Sequence, residues 1–248
     1  MRIFGLIGKT LTHSFSPNYF NEKFKVENIL DTCYELFPLE NIEGILALKN
    51  PKEKIAGLNV TFPYKETIIP YLDGLSETAQ KIGAVNTIEC TADGKWIGHN
   101  TDAQGFEQCI LETLAKQGIR ALVLGTGGAS KAVQYILSKH QVPFQLVSRN
   151  SNESLQHLSY DELNETIIEN HLLIVNCTPL GTFPNINEHV AFPFAYLTAE
   201  HLIFDLVYNP EETALMKKAK AAGAQVQNGK AMLINQANAS WKIWNSSN

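Results

Sequence analysis

Ala121-Leu-Val-Leu-Gly-Thr-Gly-Gly-Ala-Ser130 decides how this chain is read. Four apolar residues suited to a buried strand run into a glycine turn, and residues 131–140 beyond it carry a helical pattern. Strand, glycine turn and helix in that order form a cradle for phosphate. Gly125 permits the tight turn, Gly127 lets the backbone approach a pyrophosphate, and the helix start offers N–H groups and a positive dipole end. The sixth position of the pattern is Ser130 rather than Gly or Ala, and a plain structural turn reads much the same, so the loop alone leaves both readings open. The next strand, residues 144–148, runs into Arg149. An Asp or Glu there would bind ribose hydroxyls and repel a 2′-phosphate, whereas a guanidinium pairs with that phosphate, which favours NADP over NAD. A solvated loop arginine is the competing reading of Arg149.

Outward from this core, short β-branched runs alternate with helical patterns on both sides. Residues 3–7, 34–37, 55–60 and 84–88 read as strands, with helices over 17–25, 42–48 and 64–72. A second series has strands over 121–124, 144–148, 172–176 and 202–206 and a helix over 211–222 ended by Gly223. The amphipathic stretch 103–117, with Phe106, Ile110, Leu111 and Leu114 at helical spacing, joins the two. The expected fold is α/β: two α/β domains with a cleft between them. The polar residues 150–154 read as a surface loop.

Composition narrows the function. The 248 residues, 44% hydrophobic and 18% charged, describe a soluble globular protein with no run long enough to span a bilayer. Met1-Arg-Ile-Phe-Gly5 enters a strand directly rather than a secretory signal, so a cytoplasmic location is expected. A net charge of −5 without a basic stripe argues against nucleic acid and puts anion recognition in a local site. Cys33, Cys90, Cys109 and Cys177 are scattered, and no His and carboxylate cluster is present, so neither a metal nor a redox pair is expected.

The first half carries short polar side chains where strands end. Ser14 and Ser16 precede a helix opening at Pro17; Asn59 and Thr61 share one side of a strand end, with Lys65 one turn on; Asn86 lies in Gly83-Ala-Val-Asn-Thr87 and Asp102 closes Gly98-His-Asn-Thr-Asp102. Each has a bland reading: a helix cap for Ser16 or Asp102, a surface lysine, a strand-end amide. Together they suggest a site for a small polyhydroxylated molecule.

The blocks 5–17, 59–65, 83–87, 98–106, 125–130, 176–182, 205–210 and 232–237 resemble, in order and over nearly the whole chain, those of the shikimate dehydrogenase family. The resemblance implies a substrate domain (1–101 plus 230–248) and a Rossmann-like NADP-binding domain (102–229). It implies reversible oxidation of shikimate by NADP to 3-dehydroshikimate, in aromatic amino-acid biosynthesis, and allows a homodimer. On matching positions it places the substrate carboxylate on Ser14 and Ser16 with Tyr208 nearby, and the ring and hydroxyls on Asn59, Thr61, Asn86 and Gln236. Lys65 and Asp102 fall on the catalytic positions. Gly125, Gly127, Gly128, Ala129 and Arg149 match the pyrophosphate loop and the 2′-phosphate contact, and Thr178 and Met232 lie in blocks near the nicotinamide.

This chain departs from the family in having Ser148-Arg149-Asn150 for Asn-Arg-Thr, Gly229-Lys-Ala-Met232 for a glycine pair, no proline in Gly8-Lys-Thr10, and Phe20 for a frequent histidine. None touches a residue assigned to chemistry. Lys65 suits general acid–base work on a hydroxyl with Asp102 as its orienting partner, and pure substrate orientation is the milder version. A quinate-accepting relative, a broader use of NAD and a non-catalytic nucleotide sensor are the rival readings; the presence of both Lys65 and Asp102 weighs against the last.

Overall fold

A computed structural model describes residues 1–12, 14–49, 55–150 and 157–246. The chain forms two compact units, residues 1–101 with 237–248 and residues 102–236. The second boundary falls inside the last helix.

The first unit contains β1 (Arg2–Gly8), α1 (Ser16–Val26), β2 (Thr32–Pro38), α2 (Ile45–Leu48), β3 (Ile55–Val60), β4 (Gly74–Leu75), α3 (Glu77–Ile82), β5 (Thr87–Cys90) and β6 (Trp96–His99). They form a mixed sheet in the order β2-β1-β3-β5-β6-β4, parallel between β1 and its neighbours β2 and β3, antiparallel between β5 and its neighbours β3 and β6. Ile7, Leu58, Val60, Ile68, Val85 and Ile88 form one apolar cluster. A second, aromatic cluster of Phe4, Phe20, Phe24, Tyr34 and Trp244 holds α1 and the chain's last helix on the sheet. Gly57 is needed there because a Cβ would collide with the Trp244 indole, whose Nε1 donates to the Ile88 carbonyl at 2.9 Å.

The second unit contains α4 (Asp102–Leu114), β7 (Ala121–Leu124), α5 (Gly128–Lys139), β8 (Phe144–Ser148), β9 (His157–Ser159), α6 (Glu165–Glu169), β10 (Leu173–Asn176), β11 (Leu202–Asp205), α7 (Ala214–Ala221), β12 (Gln225–Asn228) and the start of α8 (Lys230–Ser246). Its six strands are all parallel in the order β12-β11-β10-β7-β8-β9. From β7 the chain winds outward through β8 to β9, then restarts on the other side at β10. Leu122, Leu124, Val147, Ile174, Ile203 and Leu215 are among the residues of its core.

Several sequence expectations change. Residues 64–72 do not form a helix: turns lead to a short 3-10 segment at Ile69–Tyr71, because Pro70 has no N–H to continue an α-helical ladder. The strand expected at 84–88 begins at Thr87. α5 starts at Gly128 instead of 131, so Ala129 and Ser130 belong to its first turn. The helix expected at 211–222 starts after Thr213, whose hydroxyl accepts from Met216 N and caps it. Past Asn150, the surface loop read at 150–154 lies outside the described residues. α3 went unread although Ser76 caps it and Gly83, at φ 69°, ends it.

Candidate active site

In the first unit the pairing directions bring the polar strand ends to one edge. β1 and β3 are parallel, so the segments after them emerge side by side: Thr61 N donates to Ile7 O at 2.8 Å. A Cβ on Gly8 would stand 2.6 Å from the Thr61 Cγ2, so glycine is what lets these two segments touch. Because β5 runs antiparallel to β3, its start lies at the same edge. Val60 N donates to Asn86 O at 2.9 Å and Val85 N to Lys65 O at 2.7 Å. β6 reverses again and ends there, with Asn86 N donating to His99 O at 3.1 Å. The half-buried Ser14, Ser16, Thr61 and Lys65 and the buried Asn86 therefore share one rim of one sheet.

Ser14 and Ser16 stand at the start of α1, where Ser16 N donates to Ser14 Oγ at 3.3 Å. Phe15 at the cap position supplies no side-chain bond, and Pro17 occupies the first turn, where its missing N–H costs nothing. The uncapped start of an eleven-residue helix favours an anion.

Beneath the rim lies a buried polar network that holds both asparagines. The Asn59 Oδ1 accepts from the Tyr34 hydroxyl at 2.8 Å; its Nδ2 faces Asn86 O at 3.2 Å, Thr87 Oγ1 at 3.3 Å and Ser240 Oγ at 3.0 Å. Both ends of this amide are engaged by protein groups. Asn86 is likewise engaged at both ends: its Oδ1 accepts from the Thr101 N–H at 2.7 Å and from the Thr87 hydroxyl at 3.2 Å, and its Nδ2 donates to Thr101 Oγ1 at 2.9 Å. Tyr34, Thr87, Thr101 and Ser240 were not singled out from the sequence. Thr87 and Thr101 lie in or beside quoted blocks, but nothing local marks Ser240.

The second unit builds a different site. Its strand order reverses between β7 and β10, and ligands of open parallel sheets sit at the carboxyl ends of the strands at such a switch point. The glycine turn follows β7 there. Gly125 has φ 102°, a conformation costly for any other residue, and a Cβ on it would stand 3.1 Å from Thr178 Cγ2. Gly127 caps α5 with no side-chain bond, is exposed, and a Cβ on it would meet nothing within 4 Å. This is an open cradle of backbone N–H groups at the positive end of a twelve-residue helix, and it fits a dinucleotide pyrophosphate. Ser130 is fully buried, with its Oγ accepting from Gln134 Nε2 at 3.0 Å; a small, satisfied residue does what Gly or Ala would do in packing helix on strand. Arg149 is exposed just past β8, the neighbour of β7, where Gly125 N donates to Val147 O at 2.8 Å.

Asp102 is buried at the first position of α4. One turn on, Gly105 faces α8: a Cβ there would stand 2.8 Å from Met232 O and 3.1 Å from the Gln236 Cβ, which sets Met232 and Gln236 against α4. Gln236 Nε2 donates to Leu233 O at 2.8 Å. Tyr208 is half-buried in the segment after β11. No grouping of His, Cys, Asp and Glu able to hold a metal ion exists among the described residues, and none of their helices is long and apolar enough to cross a membrane.

Six parallel strands in this order, with a glycine turn at the switch point, define a dinucleotide-binding α/β unit. Residues 6–88 match the family model described as the shikimate dehydrogenase substrate binding domain. The shikimate dehydrogenase (NADP+) of Clostridium perfringens is 37% identical over 256 residues, covering 99% of this chain and 93% of that protein. The crystal structure of shikimate dehydrogenase 1 from Peptoclostridium difficile aligns with a TM-score of 0.86 at 33% identity, covering 100% of this chain and 93% of that one. Shikimate 5-dehydrogenase of Thermus thermophilus, crystallised with NADP(H) and shikimate, aligns with a TM-score of 0.83 at 30% identity, covering 99% and 94%. The chain belongs to the shikimate dehydrogenase family.

Proposed function

We propose that this protein is an NADP-dependent oxidoreductase that interconverts shikimate and 3-dehydroshikimate. The observation that carries the reading is similarity over the whole length to shikimate dehydrogenases (NADP+), so that both the substrate-type unit and the dinucleotide unit are represented. The four cysteines are free, in keeping with a reducing cytoplasm. In steady-state assays shikimate with NADP is expected to yield NADPH, with lower efficiency for NAD and for quinate. Absence of turnover with shikimate under either cofactor would overturn the reading.

In the first unit Ser14 and Ser16 bind the substrate carboxylate through their hydroxyls and the start of α1, while Asn59, Thr61 and Asn86 serve the ring and its hydroxyls. In the second, Gln236 and Tyr208 complete the substrate set, Gly125, Gly127, Gly128 and Ala129 cradle the pyrophosphate, Arg149 meets the 2′-phosphate, and Thr178 and Met232 serve the nicotinamide half. Oxidation of a secondary alcohol removes a hydride from carbon and a proton from oxygen. The nicotinamide ring, when bound, accepts the hydride. In the oxidation Lys65 takes the hydroxyl proton at Nζ and in the reverse direction returns it to the carbonyl oxygen, and Asp102 is the second residue assigned to this acid–base step.

Replacing Ser14 and Ser16 together by alanine is expected to raise the KM for shikimate by roughly tenfold to a hundredfold, the scale of hydrogen bonds to a charged group, with NADP affinity unchanged. Calorimetric binding of shikimate at parental affinity by the double variant would make the serines caps of α1 and nothing more.

A further inference from the structure

One buried carboxylate takes no part in the chemistry above. Asp205, at the end of β11, is 0% exposed and accepts three hydrogen bonds: from Asn176 Nδ2 at 2.8 Å and Val207 N at 3.1 Å, both to Oδ1, and from the Thr213 hydroxyl at 2.7 Å to Oδ2. It ties together the ends of β10 and β11, which are Cα partners at Asn176 and Asp205, and the cap of α7. Burial pushes its pKa up, and the three donors pull it back.

The direction of every bond in this chain can be assigned. Thr178 N can only donate, so the Asn176 atom it reaches at 3.1 Å is the carbonyl Oδ1, and the amide nitrogen necessarily faces Asp205. The same Oδ1 lies 2.7 Å from Thr178 Oγ1. A carbonyl oxygen cannot donate, so the proton in that contact belongs to the threonine. Thr178 thus commits its only hydroxyl proton to Asn176, which leaves Oγ1 acceptor capacity alone at a half-buried position against the Gly125 turn.

We propose that Asp205 is a positioning residue which, through Asn176, makes the Thr178 hydroxyl a hydrogen-bond acceptor only, so that this point beside the glycine turn selects a donor group on the nicotinamide half of the cofactor. Phosphate oxygens, which only accept, are disfavoured there. A donor can come from the carboxamide NH2 or from a ribose hydroxyl. The inference rests on the cofactor reading above and deepens it.

The test measures binding by fluorescence titration of three probes: NADP, its 3-acetylpyridine analogue, which lacks the amide donor, and adenosine 2′,5′-bisphosphate, which lacks the nicotinamide half. Thr178→Val, which removes the hydroxyl at nearly constant shape, is expected to weaken NADP about three- to tenfold, the scale of one neutral hydrogen bond, while the bisphosphate is unaffected. Thr178→Ser should restore NADP binding. If the amide is the donor, the parent prefers NADP over the acetylpyridine analogue and the variant loses that preference; if a ribose hydroxyl is, the variant weakens both alike. Asp205→Ala should reproduce the Thr178→Val pattern. In Asp205→Asn the Val207 N–H keeps the side-chain oxygen toward Asn176, so NADP binding should stay close to parental, a readout available even if the alanine variant does not fold. Parental NADP affinity in Thr178→Val, or an equal loss of bisphosphate binding, overturns the proposal. A parent that binds neither NADP nor the bisphosphate overturns the cofactor reading and this inference with it.

Discussion

Lys65→Ala is expected to lower kcat for shikimate oxidation about a hundredfold or more, the usual scale for a lost general acid or base, with a far smaller change in KM. Lys65 is fixed by its backbone, whose carbonyl accepts from Val85 N at 2.7 Å, and by its neighbour Tyr64, which is buried and donates its hydroxyl to Leu39 O at 2.6 Å. A thermal melt run beside the steady-state kinetics separates a loss of chemistry from a loss of fold: a variant that folds normally and turns over within a few-fold of the parent removes Lys65 from the proton transfer.

The second large effect concerns the cofactor. Arg149→Ala should weaken NADP by about 1.5–3 kcal/mol, roughly ten- to a hundredfold, and leave NAD nearly unchanged, because only NADP carries the phosphate with which the guanidinium pairs. Raised salt should shrink the difference, since Arg149 is exposed and its pairing is screened. Comparing Kd for both cofactors at low and high ionic strength is sufficient. Equal losses for NADP and NAD would assign Arg149 to something other than the 2′-phosphate.

How far the site was legible depended on whether the signal was local. The cradle was readable because its demands are local: φ 102° at Gly125, an open flank at Gly127 and a helix start within three residues all act on the residues that carry them. Thr178 was placed at the cofactor by its block, but its behaviour as an acceptor comes from Asn176 and, behind it, from Asp205, which lies 27 positions further along the chain. Asn59 and Asn86 looked alike at strand ends. What holds Asn59 comes from far along the chain: Tyr34 and Ser240 reach it from 25 residues before and 181 residues after it. The helix expected at 64–72 is a separate case: Pro70 has no N–H to continue an α-helical ladder, and only a short 3-10 segment forms at Ile69–Tyr71.

By itself, the order of residues determined that two α/β series flank a glycine turn, that the turn can hold phosphate, and that short polar side chains collect at strand ends. These follow from periodicity, backbone freedom and hydrogen-bonding capacity, which are properties of a residue and its near neighbours. Only the tertiary structure decided which strand ends share a rim, since that depends on β5 running against β3 and β6 against β5. It alone put the reversal of strand order between β7 and β10, beside the glycine turn. It also decided which polar groups face outward, because a buried amide or hydroxyl must find partners and takes them from whatever the fold brings near, however distant along the chain.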